Sequence, residues 1–570
     1  MHYLIISLVF AQLVSGLEYS STVKTKFGSV RGLLSEPFFD YNKGERAEVF
    51  LGLPYALPPI GPLRFEKPQP YNLTWLHERE ATQFGPGCIP LINIYGLPVD
   101  EDCLTLNIFR PRPTEKNEKK QVLVYVHGGG FAFGSSLMYN YNNLSANFVS
   151  RDVIVITINY RLGIYGFTST GDDNLPGNLG LWDQAMAFKW IHENIDSFGG
   201  DPNRVTAWGL SAGAASVGLL TLSPYSQKYI AQTIEMSGPA LSEWAVSDET
   251  IDYTYQFAAN IGCPTENSKE LKDCLLSKSQ EFIVQSTLTF TKPTPKLLQF
   301  TPRIDGDFLP EPLDELIRKA PKIKSLSGVT ETEVLYFTIL NKDMPINAIA
   351  VPPSRFHNYD RQDLESYVTH FSEYLTRTFG HHKQQIHDAT VEFYTRGAAK
   401  FEKTSNYSYF YLNRFNEITS DFFFNIPALF LARARSAYGS DSFVYVNSYF
   451  NEKQFPAEVP LKAATHANSY PYMNGLFPVG EFEFNDKDRE FQNLLADVLV
   501  RFTKEGRPTA DWRPITVDSI NHGHIDRNGD LRQINHAPFK EAYEFWKKMN
   551  DLSENGIFKV SHQTYKKIEL

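Results

Sequence analysis

The chain has 570 residues, 42% of them apolar, with 42 phenylalanines and 30 tyrosines, which supplies surface for a large core and an aromatic-lined pocket. Its net charge of −10 repels nucleic acid and excludes a phosphate backbone as a partner. Beyond the N-terminus no stretch reaches about 18 continuous apolar residues, so no membrane span is expected.

The first residues read MHYLIISLVFAQLVSG: a short polar start, an apolar run from Leu4 to Val14, then Ser15 and Gly16. This pattern predicts a secretory signal over residues 1–16 and a single α/β domain over 17–570, in the endoplasmic reticulum lumen or outside the cell. Four cysteines, Cys88, Cys103, Cys263 and Cys274, fit an oxidising compartment. Sequence-local pairing gives two small loops, although spacing alone leaves three pairings open. Asn72, Asn143 and Asn406 head N-x-S/T triplets and are candidate glycosylation sites.

Downstream, strand and helix signals alternate. The polar run 110–121 predicts an exposed turn before the strand "VLVYV", which runs into "HGGGF" at 127–131. "DVIVITINYR" reads as a buried strand. "GLWDQAMAFKWIHENIDSFGG" places Trp182, Ala185, Ala187, Phe188, Trp190, Ile191 and Ile195 at helical spacing and stops at glycines. "RVTAWGLSAGAASVGLLTL" reads as strand, sharp turn and helix. "IAQTIEMSG", a strand ending near Gly328, and "SFVYVNSYF" complete the series. The alternation predicts a large, mostly parallel sheet with helices on both faces, and strands as apolar as VIVITI suit a sheet covered on both sides.

Residues 209–213 hold G-x-S-x-G, a frame that lifts a serine clear of its strand so that a carbonyl carbon can reach it. Serine is a poor nucleophile without an adjacent base, so Ser211 requires a histidine and an orienting acid later in the chain. The glycine loop supplies backbone N–H donors for an oxyanion at Gly129 and Gly130, together with Ala212 after the serine. A phosphate-binding loop is disfavoured, since no lysine with Ser/Thr follows at P-loop spacing. No cofactor or metal is implied.

Several long stretches give this sequence a resemblance to the carboxylesterase/cholinesterase family of type-B carboxylesterases, which includes the neuroligins. They are "FLGLPYALPPIGPLRFEKPQP" (50–70), "EDCLTLNIFRP" (101–111), "NYRLGIYGF" (159–167), the run 177–216 and "FNIPALFLARA" (424–434). The resemblance spans about Thr25 to Met549. It implies an α/β-hydrolase fold and hydrolysis of small-molecule carboxylic esters through an acyl-enzyme. It places the nucleophile on Ser211, the acid on Glu333 within "GVTETEV" with Glu331 as rival, and the base on His466 within "AATHANSY". It also pairs Cys88 with Cys103 and Cys263 with Cys274. A non-catalytic, neuroligin-like adhesion role is the alternative, and the retained Ser211 opposes it.

The sequence departs from the family at Leu210 and Ser469, where glutamates are usual, and at Val334 and Ala467, where glycines are usual. Loss of two nearby carboxylates is expected to raise the barrier by about 1 to 2 kcal/mol. The first disulfide loop carries no tryptophan, and with Leu210 this argues against a choline ester and for neutral, lipophilic esters. Tyr95 on that loop reads as a surface residue, with a stacking role as the alternative. The last four residues, Lys567, Ile568, Glu569 and Leu570, are similar to the relaxed H-x-E-L ends of liver-type carboxylesterases and predict retention in the endoplasmic reticulum.

Overall fold

The computed structural model describes residues 18–113, 118–290, 298–340, 349–401, 407–553 and 556–560. The predicted signal, Asn406 and the Lys567–Leu570 tail lie outside the described residues. Strands β1 (Leu33–Leu34), β2 (Ala47–Pro54), β3 (Thr105–Pro111), β4 (Lys120–Val126), β5 (Ile154–Ile158), β6 (Gly200–Leu210), β7 (Gln232–Met236), β8 (Lys324–Thr330), β9 (Ser442–Asn447), β10 (His522–Ile525) and β11 (Leu531–Ile534) form one 11-stranded sheet. Their order is β11-β10-β9-β8-β7-β6-β4-β5-β3-β2-β1. Strands β4 to β10 run parallel, and antiparallel neighbours close both edges. A separate 3-stranded sheet sits near the start of the described chain.

The apolar runs behave as a doubly covered sheet requires. Along β4, Val122, Val124 and Val126 join one buried cluster, while Leu123 and Tyr125 join the other. In β5, Ile154, Ile156 and Ile158 face the first cluster and Val155 the second. Successive side chains thus feed cores on opposite faces, and the one polar residue of β5, Thr157, is buried with its hydroxyl accepting a 2.9 Å hydrogen bond from the Asn107 amide. Helix α1 (Leu179–Asn194) follows the predicted periodicity, Gly199 at φ 81° ends the turn that follows it, and helix α2 (Ala212–Leu220), buried on every side, follows the expected sharp turn. This is the α/β-hydrolase architecture.

Two expectations need correction. The strand expected to stop near Gly328 runs on to Thr330, because Val329 and Thr330 stay in register with Val446 and Asn447 of β9. The run 110–121 is not wholly an exposed turn. Arg110 is buried in β3, with its guanidinium 2.6 Å from Glu48, and Lys120 already belongs to β4. Charge alone misled there, since a buried ion pair hides both partners from a polarity count. Among the described residues no helix is long and apolar enough to cross a membrane.

Helices α3 (Tyr407–Ser420) and α4 (Ile426–Ala437) are joined by a π-helical turn, Asp421–Asn425. Asp421 accepts a 2.7 Å hydrogen bond from the Tyr394 hydroxyl. Burial pushes its carboxyl from 3.8 up to about 7. The folded state therefore holds a proton that the unfolded chain has released, and stability falls as pH rises from about 4 to about 7. Asp421→Asn is expected to flatten that dependence, so the Tm of the variant minus that of the parent grows more positive from pH 4.5 to pH 7.5. The full effect is up to about 4 kcal/mol. A difference that stays constant across the range removes Asp421 as its source.

Candidate active site

Ser211 sits between β6 and α2 with φ 61° and ψ −130°, a conformation sparsely populated by non-glycine residues. Its N–H donates to the Met236 carbonyl of β7 at 2.8 Å, which helps hold the turn. A Cβ on Gly213 would meet the Val126 carbonyl oxygen at 2.1 Å, and one on Gly209 would meet the Gly213 carbonyl carbon at 2.3 Å. The two glycines of the motif are therefore required by crowding at the elbow.

Glu333 lies in the turn after β8, fully buried, and His466 in the loop after β9. The Glu333 Oε2 atom is 2.9 Å from His466 Nδ1. A carboxylate only accepts, so this contact assigns the proton to Nδ1 and leaves Nε2 as the lone-pair nitrogen. The other carboxylate oxygen, Oε1, accepts from Ser237 Oγ at 2.7 Å and from the Thr330 N–H at 2.6 Å. The main chains are tied as well, since the His466 N–H donates to the Glu333 carbonyl at 3.1 Å. The rival Glu331 faces outward and pairs with Arg527 at 3.2 Å.

Ser211 and His466 line one cavity together with Gly128, Gly129 and Gly130. Among the described residues, the N–H groups of Gly129, Gly130 and Ala212 make no hydrogen bond to protein. Three unpaired donors close to a raised serine match what an oxyanion needs. The cavity wall is aromatic, with Tyr95, Phe133, Trp244, Tyr336, Phe337 and Phe424. Phe337 and Phe424 each place a ring centroid 5.0 Å from the His466 ring. No Asp, Glu, Lys or Arg side chain is among the described lining residues. Tyr95 is exposed, as expected, and also forms part of the cavity wall.

Of the family departures, Leu210 is buried and lines the cavity beside Ser211. Ser469 lines a smaller cavity behind it with Ser237 and Thr330. Val334 is buried and donates its N–H to Ser420 Oγ at 3.2 Å. Ala467 holds φ 60°, a left-handed conformation that the usual glycine adopts without strain. Both expected disulfides are present, Cys88–Cys103 and Cys263–Cys274. Asn72 is exposed, whereas Asn143 lies half-buried on a short helix with its amide packed on Gly475. Among the described residues no group of His, Cys, Asp and Glu is arranged to hold a metal ion.

Sequence reading missed Ser237 and Gly238. A Cβ at Gly238 would lie 1.9 Å from the Ser211 carbonyl oxygen, so the Ser211 turn is packed from behind against this glycine. The only signal was a Ser-Gly pair closing a strand. The aromatic wall was missed too, since its rings come from segments far apart in the chain.

A serine at a strained strand-to-helix turn, a buried Glu–His pair and a glycine loop, all at the C-terminal ends of parallel strands, match the arrangement expected of an α/β-hydrolase site. The family model described as "Carboxylesterase family" matches residues 19–546, and the chain belongs to that family. It is 35% identical over 557 residues to gut esterase 1 of Caenorhabditis briggsae, an alignment covering 96% of this chain and 95% of that protein. A carboxylic ester hydrolase of Bombus ignitus is 30% identical, covering 95% of this chain and 96% of its own length. Bile salt-activated lipase of Bos taurus is 29% identical, covering 88% and 84%.

Proposed function

We propose that this protein is a serine carboxylesterase acting on neutral, lipophilic carboxylic esters through an acyl-enzyme. The observation that carries the reading is the Glu333–His466 contact at 2.9 Å, in a cavity that Ser211 and His466 share. In the proposed reaction Ser211 Oγ attacks the ester carbonyl and passes its proton to His466 Nε2. The imidazolium so formed is stabilised by Glu333 and then gives that proton to the departing alcohol. Water, deprotonated by the same nitrogen, attacks the acyl-serine, releases the acid and returns Ser211 with its proton. The N–H groups of Gly129, Gly130 and Ala212 carry the oxyanion in both halves. An aromatic wall without a carboxylate favours an uncharged acyl or alcohol group and gives a cationic head only ring faces.

A fluorophosphonate probe tests this directly. Parent protein is expected to take one label and to turn over p-nitrophenyl esters, and Ser211→Ala to do neither. Parent protein that stays unlabelled and inert returns the chain to the non-catalytic, neuroligin-like alternative.

A further inference from the structure

A second cavity, of about 670 Å³, lies behind the turn that carries Glu333. Glu331, Thr332 and Leu335 of that turn line it, and no described lining residue is shared with the catalytic cavity. The π-helical turn Asp421–Asn425 stands between the two. Phe424 lines the catalytic cavity, while the first and last residues of the turn, Asp421 and Asn425, line the second. Single π-helical turns between α-helical segments recur at functional sites.

Asp421 is a buried acid that the proposed reaction leaves unused, and among the described residues no cation pairs with it. The Tyr394 hydroxyl, from the helix Lys383–Thr395, gives its one proton to Asp421 and itself accepts from the Trp546 indole N–H at 2.8 Å. The Asn425 amide and Arg414 also favour the ionised carboxylate, and Glu417 opposes it. Arg414 is already paired with Glu417, and its unpartnered Nε–H leaves polarity on the wall but no net charge. The Asn425 side-chain oxygen is buried and accepts nothing. Of the other charged groups on the wall, Arg527 pairs with Glu331, and Lys540 and Glu541 are exposed. Lys462 is half-buried and is not among the groups that act on Asp421. Asp421 thus lacks a counter-charge and Asn425 lacks an N–H donor, and one positively charged N–H group answers both. Phe393, Leu461 and Phe539 offer apolar surface for the rest of a ligand.

We propose that Asp421 and Asn425 form a binding site for a primary organic ammonium with an apolar body, separate from the catalytic cavity. The ammonium donates one N–H to the Asp421 carboxylate and another to Asn425 Oδ1. The site goes beyond the esterase reading and does not depend on it. Because the ammonium selects the ionised acid, and the free carboxyl sits at about 7, affinity is full above that pH and falls below it. Binding near or below that pH drives a proton off Asp421.

Isothermal titration calorimetry with benzylammonium chloride tests this on the whole protein. Parent protein is expected to bind at pH 8.0 with a Kd on the order of 1 mM, the scale for so small a ligand. At pH 5.5 affinity is expected to be about 10- to 30-fold weaker, since the ligand stays protonated and Asp421 becomes neutral. At pH 6.5, buffers of different ionisation enthalpy are expected to show release of more than about half a proton per ligand bound. Benzyl alcohol, which lacks the charge, and benzyltrimethylammonium, which lacks N–H donors, are each expected to bind at least about 5-fold more weakly. Asp421→Asn is expected to lose both the pH dependence and most of the affinity, and Asn425→Ala to weaken binding about 5-fold. No saturable binding by the parent at pH 8.0, equal affinity at pH 5.5, or equal affinity for benzyl alcohol each overturns the site, and none of these needs a variant to fold. Parental affinity in a folded Asp421→Asn, or binding lost once Ser211 carries a fluorophosphonate label, places the ammonium elsewhere and overturns it equally.

Discussion

Ser211→Gly is expected to yield a protein more stable than the parent and inactive as an esterase. The stability gain follows from the backbone. At φ 61° and ψ −130° Ser211 occupies a region that is essentially reserved for glycine, at a cost on the order of 1 to 3 kcal/mol. Glycine relieves that strain, while its greater freedom in the unfolded chain returns about 0.5 to 1 kcal/mol, leaving a net gain of about 1 kcal/mol. The rate loss follows from the proposed role, because no other group can form the acyl-enzyme, and kcat/KM is expected to fall by about 10⁵-fold or more. Thermal unfolding and ester turnover on the same preparation check both halves. A Tm below that of the parent would show that the strain is not stored at this residue. Activity within about 100-fold of the parent would place the nucleophile elsewhere.

Glu333→Gln tests the orientation of the histidine rather than its presence. The Thr330 N–H and Ser237 hydroxyl both donate to Oε1, so a glutamine keeps its carbonyl oxygen on that side and turns its amide NH2 towards His466 Nδ1. Nδ1 must then accept, the ring proton moves to Nε2, and the atom facing the cavity loses the lone pair that takes the Ser211 proton. Turnover is expected to fall by about 10³- to 10⁴-fold with the fold intact. Ser237→Ala removes one of the donors that lock this arrangement, and its loss is expected to be no more than about 10-fold. Near-parental activity in Glu333→Gln would mean that the imidazole is oriented by something other than this carboxylate.

Much of the site was legible because it is local. The elbow is written in five consecutive residues, 209–213, and the glycine loop in "HGGG", since each solves a backbone problem that only small residues solve. Glu333 and His466 were legible only through their resemblance to family motifs, for nothing in their own neighbourhoods separates them from other acids and histidines. Ser237, Gly238 and the aromatic wall were not legible at all. Their roles depend on which side chain faces which cavity after the sheet has assembled, and that is set by packing across hundreds of residues. Tyr95 was legible as an exposed residue, while its share in the cavity wall follows from how its loop packs.

The loop closed by Cys88 and Cys103 has a further consequence. It carries Tyr95 to the cavity wall, and its Leu91 N–H donates to the Ala132 carbonyl next to the glycine loop at 2.7 Å. The covalent tie thus holds one aromatic piece of the cavity wall in place, while the strands and the serine turn are held by their own core. Chains made where thiols stay reduced would keep the serine turn and the Glu333–His466 contact but hold this part of the wall less firmly.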